Sequence, residues 1–592
     1  MKKFFYNLLC LTLVFSLCAC STSETATNVS QSKETTQTQT KDFEAFLDDL
    51  LVELQTDYSN VHQLFEHPEN YGINMDDIEV SLGHVEVQEE DVERYKELLS
   101  QLHEFDYDSL TDVQQAVYDE MEYELNLSID GSNSDYDLTG NIWSSYSGLQ
   151  ENLASLFSDY ILRDEQDVKD LITLINDVPR YVEEAIDYTK RQAEAGMLYF
   201  QYDTVLESIQ ETLDSKEDYA IENQLFELVD KLDLSDDKKE DYKQQIKDAM
   251  NNSFFSSYQT MKDELTALKD QVKEPTGLVN IENGSGYYKL LVQNKTGSSE
   301  SIETIRSNLE SAVQSAKEAF NSAYQENPYA YYEMYSITTQ CDDVNDILGE
   351  IQTHIDTNYP TVSDLEYDLS PLSDELCTEG IVAYCLVPAI DSDEAIVIRY
   401  NKRDYGSEAN SVDLYTTLAH EGIPGHAYMF TYLKENMEYN IQYFLESLGF
   451  TEGFATYAEF NAYSYIDYDS DALALSKYNT ILSDMYIALM DIDINYEGLS
   501  EQEFLNEYSS MFNEDGLKEI YYTLADNPAT YLAYYYGYLQ IMNLRAKAKE
   551  ELGSDFDTKE FNAALLKYGS VNFDIVARAI DEYIEENKQT EE

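Results

Sequence analysis

Proline and glycine are scarce along this chain, and that scarcity is what most constrains its fold. Only 9 prolines and 22 glycines occur in 592 residues, too few for the many tight turns of a β-rich protein. Apolar residues recur at helical spacing through most of residues 42–271, for example in DFEAFLDDLLVEL and SYQTMKDELTALKDQVKE. The sequence therefore predicts a mainly α, multi-helix body.

One part of the chain has a β pattern instead. The runs GIVAYCLVPAI (380–390) and EAIVIRYN (394–401) are apolar and rich in β-branched residues, and a short turn at residues 391–393 separates them. They predict a hairpin or two adjacent strands. Residues 277–299 contain several glycines and turn residues, and we expect loops there, near a working surface.

We expect one continuous body after the amino-terminal region, because the sequence contains no internal repeat and no domain-separating linker. A break at Pro275-Thr276-Gly277 suggests two lobes within that body. The predicted division is a helical lobe at residues 42–275 and a second lobe at 276–592, which carries the candidate site described below.

Acidic residues far outnumber basic ones. The chain has 116 Asp and Glu residues against 37 Lys and Arg, a formal net charge of −79. Such a surface cannot neutralise a phosphate backbone, so nucleic acid is excluded as a general partner. It also argues against docking on anionic lipid through a basic surface. A hydrophobic content of 43% with 51 tyrosines indicates a folded protein rather than an acidic disordered chain.

The amino terminus has the features of an export signal. Met1-Lys2-Lys3 is basic, and the apolar run at residues 4–17 is too short for a permanent membrane span. Residues 17–20 (LCAC) resemble a bacterial lipobox, so we predict a lipoprotein signal peptide at residues 1–19 and lipidation of Cys20. The Ser/Thr/Gln-rich residues 20–41 predict a flexible tether. We therefore expect an exported protein, lipid-anchored to the cell membrane and facing outward.

Three cysteines remain outside the leader. Cys341, Cys377 and Cys385 are an odd number without CxxC spacing, which predicts neither a disulfide framework nor a thiolate metal site. A bridge between Cys377 and Cys385 is an alternative, but buried free thiols are favoured.

The segment HEGIPGH (420–426) contains two histidines and a glutamate within seven residues, and it is the most informative candidate site in the sequence. His420 and His426 could hold a metal ion such as zinc, and Glu421 could take a proton from water. The histidines are six residues apart rather than four, and on a regular helix they would lie about 120° apart. Pro424 and Gly425 would bend or bulge the helix and could bring the imidazoles together. Two unrelated histidines near a helix break are the alternative.

A second candidate segment, EGFATYAE, covers residues 452–459. A carboxylate about 25–35 residues after the histidines is where zincins with a glutamate ligand place their third protein ligand. Glu452 and Glu459 are two helical turns apart and so share one face of a helix. We expect Glu452 to be a ligand and Glu459 to accept a hydrogen bond from a ligand histidine.

These segments together resemble the domain of unknown function 885 family, bacterial proteins grouped with the zincin-like metallopeptidases. The family's HExxPGH corresponds to residues 420–426, and its EGWAxYxE to residues 452–459, with Phe454 in place of Trp. A third block corresponds to residues 527–561, and Asn562 stands where the family has His. Matching positions in the third block and elsewhere are Pro528, Tyr534, Gly537, Leu544, Arg545, Ala548, Leu552, Gly553, Phe556, Phe561, residues 71–73, residues 287–288 and residues 388–401.

The resemblance implies a zincin-like body with one zinc ion held by His420, His426 and Glu452, and with Glu421 as general base. A site of two imidazoles and a carboxylate would also accept Mn²⁺ or Co²⁺.

The resemblance also suggests roles near the substrate. Tyr534 could stabilise a tetrahedral oxyanion, and Arg545 could recognise a carboxylate. Packing for Tyr534 and a structural ion pair for Arg545 remain open alternatives. By analogy with zincins, the strand at residues 394–401 could pair its edge with an extended peptide. If the family's His contacts substrate, Asn562 implies a different substrate or a slower reaction.

The implied function is that of a cell-surface zinc metallohydrolase, in first place a peptidase acting on a peptide or small amide substrate. One alternative is a hydrolase of non-peptide amides or amino-acid conjugates. Another is a non-catalytic lipoprotein that binds peptides or metal. Glu421 favours catalysis, because a binding protein needs no base beside a metal ligand.

Overall fold

The computed structural model describes residues 39–588, except 146, 364, 373–376, 378–382 and 406–408. The predicted signal peptide, Cys20 and most of the predicted tether lie outside the described residues. Among the helices that the structure does describe, none combines the length and apolarity that crossing a membrane requires.

Ten helices fill the first part of the described chain, in agreement with the predicted mainly α fold. They are α1 (Gln39–Leu54), α2 (Tyr58–Leu64), α3 (Glu89–Leu102), α4 (Asp112–Gly131), α5 (Leu149–Ser158), α6 (Glu165–Ala195), α7 (Tyr202–Asp214), α8 (Ala220–Lys231), α9 (Asp236–Ala249) and α10 (Phe255–Leu268).

Four helices precede the sheet: α11 (Gly284–Thr296), α12 (Ile302–Glu326), α13 (Ala330–Glu333) and α14 (Ile347–Ile355). The expectation of loops over residues 277–299 is wrong, because α11 occupies most of that segment. Its glycines serve close packing instead: a Cβ on Gly284 would lie 1.8 Å from the carbonyl oxygen of Leu278, and one on Gly286 would lie 2.5 Å from the Tyr136 hydroxyl.

Three short strands form one mixed sheet, and they are β1 (Tyr367–Pro371), β2 (Ala383–Cys385) and β3 (Ile396–Tyr400). The order is β1-β3-β2, with β3 parallel to β1 and antiparallel to β2. The prediction of adjacent strands within residues 380–401 is confirmed, although β2 is shorter than its apolar run and β1 was not foreseen. Because β3 has a partner on both sides, the expectation that its edge binds a peptide is wrong.

The remaining helices complete the body around the sheet. They are α15 (Lys402–Tyr405), α16 (Val412–Glu421), α17 (His426–Asn436), α18 (Leu448–Ala462), α19 (Ser470–Asn495), α20 (Glu501–Tyr508), α21 (Glu514–Asp526), α22 (Thr530–Leu552), α23 (Thr558–Leu565) and α24 (Phe573–Asn587).

Buried apolar side chains form two large clusters. One lies almost wholly within residues 143–268, which contain α5–α10. The other joins residues 43–125 to residues 278–584. The first four helices therefore pack mainly with the second half of the chain, although they precede the predicted lobe boundary near residue 275. The division into lobes at that residue stays a prediction.

The three cysteines Cys341, Cys377 and Cys385 are all buried and free, as the sequence favoured. Cys385 lies in β2, beside α16, and this contact becomes important at the candidate site.

Candidate metal centre

The helix is interrupted between α16 and α17, and this interruption brings His420 and His426 together. Helix α16 ends at Glu421 and α17 begins at His426, so the helix stops completely rather than bending or bulging. Pro424 has no N–H to donate to the carbonyl of His420, which a continuous helix would require. A Cβ on Gly425 would lie 1.7 Å from that carbonyl oxygen, so only glycine fits there. The two imidazole rings lie 4.9 Å apart at 81° to each other.

Helix α18 places its two carboxylates against these imidazoles. Glu452 Oε2 lies 3.4 Å from Nε2 of His420 and 3.5 Å from Nε2 of His426. Glu459 Oε2 lies 3.3 Å from the other ring nitrogen of His420, Nδ1. The side chains predicted as ligands thus meet at one point, with Glu459 behind His420.

The spacing of these atoms suits a metal ion better than direct hydrogen bonds. In a tetrahedral zinc site with bonds of about 2.1 Å, neighbouring ligand atoms lie about 3.4 Å apart. Both carboxylate oxygens of Glu452 are buried without a hydrogen bond of normal geometry. The ligand atoms of His420, His426 and Glu452 all lie within 4.8 Å of one another, and no other such group of His, Cys, Asp or Glu occurs among the described residues.

The electrostatics of the cluster favour a cation. Burial would lower the pKa of His420, but its contacts with Glu452 and Glu459 outweigh burial and raise the pKa to about 10. Burial would raise the pKa of Glu452, but the two imidazoles lower it to about 2. Burial lowers the pKa of His426, which favours the neutral imidazole that a metal needs.

Glu421 is buried beside this cluster. Its side chain is 5% exposed, and the carboxylate accepts a hydrogen bond from the backbone N–H of Cys385 in β2. Burial, with repulsion from Glu452 and Glu459, raises the pKa of Glu421 to about 8, although His420 opposes the shift. A carboxyl group with such a pKa can both take and return a proton near neutral pH.

Helix α22 lies across α18 and brings Tyr534 to the cluster. The Tyr534 ring stacks over His420 with ring centroids 6.0 Å apart. The two helices approach closely through glycines: a Cβ on Gly453 would lie 2.5 Å from the carbonyl carbon of Gly537. Gly453 follows Glu452 directly in the sequence, so this contact fixes the ligand helix relative to Tyr534.

Two other positions singled out from the sequence lie elsewhere. Arg545 is eleven residues after Tyr534, about 16 Å further along α22. Its guanidinium lies 5.5 Å from the ring of Phe556, so the structure does not bring it to the cluster. Asn562 is fully buried; its Oδ1 accepts a hydrogen bond from Tyr457 of α18 at 3.2 Å, and its Nδ2 donates one to a backbone carbonyl at 2.8 Å. Asn562 therefore supports the ligand helix from outside the cluster.

Sequence reasoning missed three charged residues around Glu452. Lys295 of α11 and Glu446, just before α18, both interact electrostatically with Glu452, and Glu124 of α4 interacts with Glu446. None of these residues belongs to a recognised motif. A single Asp or Glu cannot be recognised as functional from the sequence of a chain that contains 116 of them.

The comparisons with known proteins agree with the fold. The family described as "Bacterial protein of unknown function (DUF885)" matches residues 70–580. A candidate lipoprotein from Colwellia psychrerythraea superposes with a TM-score of 0.77 at 17% identity, over 92% of this chain and 99% of its own. A candidate lipoprotein of unknown function from Shewanella oneidensis superposes with a TM-score of 0.56 at 15% identity, over 83% of this chain and 91% of its own. No curated protein matches the sequence.

Proposed function

This chain belongs to the bacterial DUF885 family, and we propose that its buried histidine–glutamate cluster is the metal centre of a hydrolase that cleaves peptide bonds. The observation that carries the proposal is the convergence of His420, His426 and Glu452 beside the buried carboxylate of Glu421. Packing alone would not explain this cluster, because buried polar atoms without a hydrogen-bond partner cost free energy.

His420 and His426 would hold the ion through Nε2, and Glu452 through its carboxylate. A bound zinc ion supplies an activated water molecule and a polarised carbonyl group. Mn²⁺ or Co²⁺ would suit the same ligands. Glu459 Oε2 lies 3.3 Å from His420 Nδ1. A hydrogen bond donated by Nδ1 to this carboxylate would fix the tautomer that leaves Nε2 free to bind a metal.

Glu421 is the general base of the proposed reaction. Its carboxylate takes the proton from the attacking water and later gives it to the leaving amine. The Cys385 N–H holds the carboxylate in one orientation, so β2 takes part in positioning the base. Tyr534 is the candidate donor of a hydrogen bond to the developing oxyanion, since its ring already lies over His420.

The proposed setting is the outer face of the cell membrane, reached only through a lipid on Cys20. The leader sequence supports this setting, and the structural relatives from Colwellia and Shewanella are themselves described as candidate lipoproteins. The substrate would be a peptide or small amide, and not nucleic acid. A net charge of −79 would concentrate cationic substrates near the protein, less so at high salt.

Elemental analysis of the purified protein and its Glu421→Gln variant tests the proposal, together with a peptide library and a set of N-acyl amino acids. We expect about one zinc per chain in both proteins, and hydrolysis of peptides by the unaltered protein alone. Turnover of N-acyl amino acids but not peptides would indicate the alternative hydrolase. A variant as active as the unaltered protein, or absence of metal from both after zinc is supplied, would refute the catalytic assignment in favour of a binding lipoprotein.

A further inference from the structure

Four exposed tyrosines lie close together at the end of α12 and around α13. Only six large apolar side chains are exposed in the part of the chain that the structure describes. Four of the six fall within residues 324–335, and their exposed fractions are 42% for Tyr324, 81% for Tyr329, 74% for Tyr332 and 69% for Tyr335. The other exposed apolar side chains are far from these in the sequence and stand singly.

The tyrosine rings contact one another through Tyr331, which is partly buried. Its ring centroid lies 5.6 Å from that of Tyr324 and 5.7 Å from those of Tyr332 and Tyr335, at interplanar angles of 82–88°. Tyr329 precedes α13, and its carbonyl oxygen accepts a hydrogen bond from the backbone N–H of Tyr332 at 3.0 Å. Edge-to-face contacts of this kind hold the exposed rings as one surface. We call this surface the tyrosine patch; its residues are 324, 329, 331, 332 and 335.

The tyrosine patch is not a piece of the core that lacks a cover. Ala330, Met334 and Ile337 lie between and beside the tyrosines and are buried, so this stretch of chain already has an inward side. The exposed tyrosines together present on the order of 500 Å² of mostly aromatic surface. A patch of that size on a soluble protein is often functional, and tyrosine is enriched where proteins bind one another.

The sequence around the tyrosine patch contains no fixed positive charge. No lysine or arginine occurs between Lys317 and Arg399, nor between Lys434 and Lys477. The Lys317 ammonium lies 4.9 Å from the ring centroid of Tyr486 in α19, so this nearest cation in the sequence already has an aromatic partner.

Carboxylates border the tyrosine patch instead. Glu326 and Glu333 are exposed and belong to the same segment as the tyrosines. Nε2 of Gln340 donates a hydrogen bond to the carbonyl oxygen of Asp467 at 2.7 Å, which holds the loop before α19 against this segment. That loop adds the exposed carboxylates of Asp467 and Asp469. An aromatic surface with an acidic border is complementary to lysine and arginine side chains, whose cations bind both tyrosine rings and carboxylates.

We propose that the tyrosine patch docks a basic segment of another polypeptide, with lysine and arginine side chains over the tyrosine rings and paired with the bordering carboxylates. The inference does not depend on the proposed function, because the patch contains none of the metal-centre residues. A second copy of this chain would present the same carboxylates and be repelled. An anionic membrane surface would be repelled for the same reason.

Binding of a fluorescein-labelled (Arg-Gly)₅ peptide tests the proposal, with fluorescence anisotropy measured at about 150 mM salt. We expect Tyr329→Ala combined with Tyr332→Ala to weaken binding about tenfold, because two rings that contact cations are lost. Tyr329→Phe combined with Tyr332→Phe keeps both rings and should bind like the unaltered protein. Both positions are exposed, so neither pair of changes should disturb folding.

A second pair of variants separates the tyrosine patch from the general acidity of the protein. Glu326→Gln combined with Glu333→Gln should weaken binding about threefold or more, because two bordering charges are lost. Glu585→Gln combined with Glu586→Gln removes two exposed carboxylates from α24 and should leave the Kd unchanged. Equal losses from the two pairs would show that the peptide binds the acidic surface at large, and would overturn the inference.

Other results would also overturn it. Absence of peptide binding by the unaltered protein would do so, as would binding that persists in the folded protein with both tyrosines changed to alanine. Phosphatidylcholine vesicles that bind the unaltered protein but not the alanine variant, without peptide binding, would assign the tyrosine patch to a membrane surface. A dimer in sedimentation velocity that the alanine changes dissociate, again without peptide binding, would assign it to a second copy of the chain.

Discussion

Helix α6 in the first half of the chain and helix α18 in the second half differ in where their carboxylates lie. Helix α6 buries one apolar stripe, including Val168 and Leu171, and keeps Asp177 and Glu184 partly exposed beside Arg180. Helix α18 is buried on all sides from residue 449 to 460, and two of those residues are glutamates. Packing of an apolar core explains the partly exposed carboxylates of α6. It does not explain the two buried glutamates of α18.

This difference indicates which carboxylates are candidates for function in a protein with so many acidic residues. Asp177 and Glu184 on α6 keep part of their hydration and pair with Arg180, at little cost to stability. The carboxylates of α18 lose their hydration, and the imidazoles of His420 and His426 lie 3.4 and 3.5 Å from Glu452. Such an arrangement is stable when a cation completes it. Substitutions in the two helices should therefore have different consequences.

The largest expected effect follows from His426→Ala. Removing one of three ligands should abolish zinc binding, so added zinc should raise the melting temperature of the unaltered protein but not of the variant. Elemental analysis and calorimetric melting would show this. His67→Ala, which removes an exposed histidine, provides the control and should bind zinc normally.

Tyr534→Phe should have the next largest effect. If the hydroxyl stabilises the oxyanion, kcat should fall by about 10²–10³ with little change in zinc content. Steady-state kinetics on a peptide found in the library would measure the change. An unchanged kcat would show that the ring serves only to pack over His420.

Glu459→Gln should weaken the site without removing a ligand. The partner of His420 Nδ1 loses its charge, and affinity for zinc should fall by about 10–100-fold. Competition with a chelator of known affinity would measure it. An affinity equal to that of the unaltered protein would mean that Glu459 does not orient His420.

Leu171→Ala in α6 should have the smallest effect on the site. A fully buried leucine is lost from the helical cluster, so the free energy of unfolding should fall by about 2–5 kcal/mol. Zinc affinity and kcat should not change, because α6 contributes nothing to the metal centre. A change in either would show that the two clusters are coupled.

The sequence by itself determined the helical class, the pair of strands and the chemical nature of the site. Helical periodicity predicts α1, α3 and α12 because each buries one stripe of residues, which is a local property. Pro424 marked the helix break, and the seven-residue spacing of Glu452 and Glu459 placed them on one face. The glycines of α11 led to the wrong prediction of loops over residues 277–299, because their role is close packing with residues distant in sequence.

Tertiary structure decided the rest. It gave β3 a second partner in β1, closed the edge expected to bind a peptide, and left Arg545 far from the cluster. It also brought Lys295 of α11 and Glu446, which precedes α18, into electrostatic interaction with Glu452, which no local pattern could indicate. The physical reason is that ligand geometry, burial and the pairing of charges depend on contacts between residues hundreds of positions apart, whereas a sequence pattern reports only the face of one element.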